Sequence, residues 1–122
     1  MKLFAIINTT NNNNLCILKI QIKTKTSEFE LLFPELPIDT FLSVLNRINN
    51  KPDVSTIYYL DPTLDCRFDY DLHSKIITIF VNRTNINNNA YSKVIVKHKK
   101  LKKLLRLIHN YKQLQTPIAM LI

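Results

Sequence analysis

The sequence predicts an α+β fold. A largely antiparallel β-sheet carries two amphipathic helices packed on one face, in the order β-β-β-α-β-β-β-β-α. Three observations lead there. Several segments alternate apolar and polar residues with period two, as half-buried strands do. Two segments instead place apolar residues at i, i+3, i+4 and i+7, one stripe of a 3.6-residue period. Pro and Asn stand at the ends of these segments, where chains turn. The 122 residues suit a single domain spanning 1–122, with an apolar tail at 117–122.

Residues 2–7 read as a first strand and 8–14 as a polar loop. Residues 15–25 alternate cleanly: Cys16, Leu18, Ile20 and Ile22 share one face, and Lys19, Gln21, Lys23 and Lys25 the other. Residues 28–33 continue as a strand with Phe29, Leu31 and Phe33 inward, ended by Pro34 and Pro37. Asp39 or Thr40 is placed to cap a helix whose stripe is Ile38, Phe41, Leu42, Leu45 and Ile48. Asn49 and Asn50 are suited to end it, because Asn tolerates the left-handed conformation, and Pro52 prevents its continuation. Strands follow at 56–60, 65–71, 75–82 and 91–97, with a turn at Asp61-Pro62 and a loop at 83–89. A helix at 99–115 is stopped by Thr116-Pro117. Three strands and a helix followed by four strands and a helix form a faint internal echo, without a residue-level repeat.

Composition excludes several function classes. The chain has no Gly, where average usage would supply roughly 8 or 9. Without Gly there is no Walker A loop, dinucleotide fingerprint, kinase Gly loop, Gly-flanked nucleophile elbow or KH loop. The 14 Asn, 16 Ile and 13 Lys resemble the output of a strongly AT-rich genome, as some viruses have. Cys16 and Cys66 are too few for a disulfide framework and read as buried thiols of an intracellular protein. The apolar run at 3–7 is shorter than the roughly 7–15 residues of a signal h-region. On that reading the sequons at Asn8 and Asn82 are chance matches, and no window has the length of a membrane span.

Charge is the strongest feature. Residues 1–92 carry nine cations and all nine carboxylates, so they are formally neutral. Residues 93–122 carry Lys93, Lys97, Lys99, Lys100, Lys102, Lys103, Arg106 and Lys112 and no acid. The whole net charge of +8 therefore lies in the last 30 residues. On a helical wheel, Leu101, Leu104, Leu105, Leu107, Ile108, Tyr111 and Leu114 fill one half. Lys99, Lys102, Lys103, Arg106, His109 and Gln113 fall mainly on the other, with Lys100 and Lys112 near the apolar edge.

Three readings of this helix compete: a phosphate-tracking face, a docking helix for a protein or anionic membrane, and a solvated core helix. The missing acids favour the first, since a merely solvated face mixes both signs. Lys19, Lys23 and Lys25 join it if their strand faces the same way.

Other chemistry is thinner. Asp61, Asp65, Asp69 and Asp71, with His73, form an acidic stretch, but no second acidic strand completes a Mg²⁺ site, and a polar strand face explains them. Cys16, Cys66, His73, His98 and His109 lack the short spacings of zinc ligands. No nucleophile has a recognisable setting, so no catalytic residue, metal or cofactor is assigned. Tyr58 and Tyr59 point to opposite strand faces, so one is exposed; Tyr59 and Tyr91 are the candidate base-stacking surfaces.

The reading is a small non-enzymatic protein binding nucleic acid, single-stranded or without sequence preference. Lys93, Lys97, Lys99, Lys102, Lys103 and Arg106 are the phosphate contacts. The alternative is a protein-interaction or oligomeric, viral-accessory role, including a homodimer, built on the amphipathic helix and apolar tail. A sheet followed by a basic helix is broadly similar to small single-strand binders, an analogy of fold alone.

Overall fold

Period-two alternation is realised most cleanly in strand β2 (Leu15–Lys23), where Cys16, Leu18, Ile20 and Ile22 are all buried. The computed structural model describes residues 2–61, 66–81 and 93–122. The expected loop at 83–89, Asp65 and Tyr91 lie outside the described residues. The remaining strands are β1 (Lys2–Asn8), β3 (Glu28–Leu32), β4 (Leu36–Pro37), β5 (Thr56–Asp61), β6 (Cys66–Asp71), β7 (Ile76–Val81), β8 (Lys93–Lys97) and β9 (Ile118–Leu121). The helices are α1 (Ile38–Asn49) and α2 (His98–Leu114).

The architecture is α+β with antiparallel pairing throughout, and its strands divide into two sheets rather than one. The first runs β3-β2-β1-β9, with the short β4 also pairing β2; the second runs β5-β6-β7-β8. The apolar tail is not a free patch. It forms β9 against β1, with Phe4 opposite Leu121 and Ile7 opposite Ile118, and Ile122 is buried. The first sheet is a three-stranded meander, β1-β2-β3, extended at the β1 edge by β9, and the second is a four-stranded meander; a helix follows each meander, so the internal echo recurs in space.

One apolar cluster joins the inner faces of both sheets and the buried stripes of both helices. Phe33 at the end of β3 packs edge-on against Phe41 of α1 (5.4 Å between centroids) and Phe68 of β6 (6.2 Å). These contacts tie the first sheet to α1 and to the second sheet.

Helix ends differ from expectation. Neither Asp39 nor Thr40 caps α1; Pro37 is the N-cap residue, with no side-chain cap. Asp39 stands instead in the first turn, where its charge suits the helix dipole. At the other end Asn50 keeps a negative φ, and the left-handed residue is Lys51, with φ 59°. The terminal reversal is displaced one residue past the Asn pair because the Asn50 and Lys51 N–H groups close back onto the carbonyls of Asn46 and Ile48. α2 ends at Leu114, short of Thr116-Pro117, and Gln115, expected as its last residue, is its left-handed C-cap (φ 55°). Among the described residues no helix is long and apolar enough to cross a membrane.

Candidate functional site

α2 follows β8 without a loop, so the alternation of β8 passes directly into helical periodicity. Leu101, Leu104, Leu107, Ile108 and Tyr111 form its buried stripe. That burial fixes the rotation of the helix and leaves Lys99, Lys102, Lys103, Arg106, His109 and Gln113 exposed. The steps of three and four residues place Lys99, Lys102, Lys103 and Arg106 along two turns, a rise of about 10 Å.

α1 lies antiparallel beside α2. Lys112 near the end of α2 bonds Asp39 at the start of α1, with Nζ 2.8 Å from Oδ1. His98 at the start of α2 sets its Nε2 at 2.8 Å from the Ile48 carbonyl at the end of α1. The exposed Arg47 and Lys51 therefore belong to the same end of the helix pair as Lys99 and Lys102. Within the two helices, seven cations face one carboxylate, Asp39, and Lys112 already engages it. A basic field thus covers the end of the pair where α1 stops and α2 starts.

The start of α2 is electrostatically unrelieved. Lys99 and Lys100 stand in the first turn, at the positive end of the helix dipole, with no acid there and no side-chain cap. Each such cation opposes the dipole by about 0.3–1 kcal/mol. An anion at this end reverses the sign of that interaction.

The other predicted residues are divided by the fold. Lys97 closes β8 at the foot of α2, beside Lys99. Lys93 and Tyr59 lie on the outer face of the second sheet, in one cross-strand row with Arg67 and Phe80 between them. Tyr59 is indeed the exposed member of its pair, 51% accessible, but this face turns away from the core on which α2 packs. The Arg67 guanidinium covers the Phe80 ring at 4.2 Å in the same row. Tyr91 lies outside the described residues.

Lys19 and Lys23 do not join the helix face, because their alternate partners Leu18, Ile20 and Ile22 face the shared core. Lys19 pairs with Glu30 at 3.7 Å, and Lys23 caps the Phe4 ring at 4.9 Å. Arg47, Lys51 and Lys75 were not legible as site residues. They come into the basic field only through helix pairing and the β6–β7 turn, which are long-range features.

The start of α2 also borders a cavity of about 530 Å³. Lys51, Lys75, Lys97 and Lys99 line it together with Tyr70 and Ile76. The Lys75 carbonyl accepts the N–H of His98 (3.0 Å), which fastens the β6–β7 turn to the first residue of α2.

The acidic stretch is occupied by its own surroundings. Asp69 accepts from Arg67 Nε at 3.1 Å. Asp71 accepts from Ser74 Oγ at 2.6 Å and Ser55 Oγ at 3.3 Å, and the Ser74 hydroxyl is the main cause holding its carboxyl below the ordinary value. Among the described residues no group of three or more His, Cys, Asp or Glu side chains is arranged to hold a metal ion. Burial pushes the Cys16 thiol up to about 11, the opposite of an activated nucleophile.

Comparison with protein-family models, curated proteins and solved structures finds no match to this chain.

Proposed function

We propose that this protein is a non-enzymatic, sequence-independent nucleic-acid-binding protein whose phosphate-contacting surface is the exposed face of α2. Lys99, Lys102, Lys103 and Arg106 neutralise backbone phosphates, and Arg47 and Lys51 extend the surface across the end of α1. The observation that carries this reading is the segregation of sign. The helix pair holds seven cations, and its single carboxylate is bound by Lys112. A solvated face mixes signs, whereas a face meeting a polyanion does not. Lysines acting as point charges follow a phosphate backbone without reading bases.

The experiment is fluorescence anisotropy with labelled single- and double-stranded oligonucleotides, on the wild type and on K99E/K102E/K103E/R106E. Loss of binding in a variant with unchanged circular dichroism supports the reading. Undiminished binding removes the face from it.

A second reading has its own observation. Ile57 and Ile95 share one row on the outer face of the second sheet, and Tyr59 stands in the next; all three are more than half exposed. That face suits a protein partner and replaces the apolar tail, which is consumed in β9, as the basis of an interaction role. Sedimentation of wild type against I57K/I95K tests it, with a lighter species expected for the variant.

A further inference from the structure

We propose that the cavity at the start of α2 binds a phosphate monoester of mononucleotide size, its phosphate on the lysines and the α2 N-terminus and its flat body on Tyr70 and Ile76. The proposal does not depend on the α2 face binding nucleic acid.

Four observations converge. The volume, about 530 Å³, lies within the range of small-ligand sites. Four lysines from three parts of the fold line it: Lys51 after α1, Lys75 in the β6–β7 turn, and Lys97 and Lys99 across the β8–α2 junction. No carboxylate is in the lining, and the nearby Asp71 is engaged with Ser55 and Ser74. The lysine stems, Ile76 and the Tyr70 ring supply apolar walls beneath the ammonium groups.

Tyr70 belongs to the cavity wall and is only 3% exposed. Its ring also meets the His98 ring edge-on at 6.0 Å, which sets it beside the uncapped start of α2. The His98 N–H is taken by the Lys75 carbonyl, and the next N–H groups of that first turn have no side-chain cap, the usual setting for a phosphate.

The test is calorimetric titration of the full chain with AMP, adenosine and inorganic phosphate, repeated on K75E. AMP is expected to bind with Kd below about 1 mM. Adenosine, lacking the phosphate, is expected to bind at least about tenfold more weakly, and K75E to weaken AMP by a similar factor.

No saturable AMP binding overturns the proposal. So does AMP binding that is unchanged in K75E, which would put the nucleotide elsewhere. The same ester occurs as a free nucleotide or as the 5′ end of a strand. A 5′-phosphorylated oligonucleotide that outbinds its 5′-hydroxyl counterpart in wild type but not in K75E identifies the strand end; equal binding identifies the free nucleotide. AMP binding without any oligonucleotide binding leaves the cavity standing and removes the α2 face.

Discussion

The salt dependence of binding is the sharpest consequence of the α2 face, because its size follows from a count of side chains. Lys99, Lys102, Lys103 and Arg106 are exposed and aligned, so the proposed reading has them neutralise about four phosphates. Counterion release then gives slopes of log K against log salt of about −2.8 for single strands and −3.6 for duplex. Between about 50 and 200 mM salt, affinity falls roughly 50-fold for a single strand and 150-fold for duplex. Participation of Arg47 and Lys51 steepens both slopes by about half.

Each neutralising substitution that removes a phosphate contact lowers the slope by about 0.7–0.9. K102Q/K103Q therefore brings the single-strand slope to about −1.4, with no cost to folding because both side chains are in solvent. K112Q is the internal control. Lys112 is already paired with Asp39 at 2.8 Å, so its loss leaves the slope unchanged. The assay is anisotropy at five or so salt concentrations for each variant. A wild-type slope shallower than about −1, or one that K102Q/K103Q does not alter, refutes the reasoning.

Three other outcomes are expected. Phe68→Ala empties a fully buried position against Phe33 and costs about 3–5 kcal/mol in urea unfolding; a loss under about 1 kcal/mol contradicts the shared core of the two sheets. Cys16 is buried, and its thiol is pushed up to about 11, so in native protein near pH 8 it resists alkylation and reacts only on unfolding, as mass spectrometry of the modified peptide will show. The Asp71 carboxyl is held below its ordinary value of 3.8, chiefly by the Ser74 hydroxyl, so its contribution is present above that value and lost as pH falls through the lowered one. D71N is then less stable than wild type near pH 7, and the two converge in thermal melts as pH falls below 3.8; a gap that persists in acid contradicts this.

What could be read from the sequence was local. The stripe Ile38, Phe41, Leu42, Leu45 and Ile48 and the alternation of Cys16 to Ile22 set burial on one side, and the structure buries those residues. The exposed positions of α2 followed from the same logic, since burying Leu101, Leu104 and Ile108 dictates where Lys99, Lys102, Lys103 and Arg106 must point. Pairing between distant segments was not legible. Nothing in residues 118–121 says that they lie beside β1, and nothing near Lys93 says that its face turns away from α2. The antiparallel seating of α1 depends on contacts such as His98 to the Ile48 carbonyl, 50 residues away, which no local pattern encodes. Arg47, Lys51 and Lys75 therefore entered the site only with the tertiary structure.

The near-repetition of the fold bears on whether the basic face serves a partner. A meander and a helix recur in each half, β1-β2-β3 with α1 and β5-β6-β7-β8 with α2, and the two helices lie side by side on one core. They occupy comparable places, yet their solvent faces differ. α1 presents Asp39, Ser43, Asn46 and Arg47, a face of mixed sign and modest charge. α2 presents Lys99, Lys102, Lys103 and Arg106 with no acid along its whole length. A composition biased toward Lys by the genome would act on both helices alike, and the fold is satisfied by the nearly neutral α1. The difference is therefore not a requirement of packing, nor the uniform imprint of composition. On the proposed reading, it reflects a polyanion met by one of the two helices and not by the other.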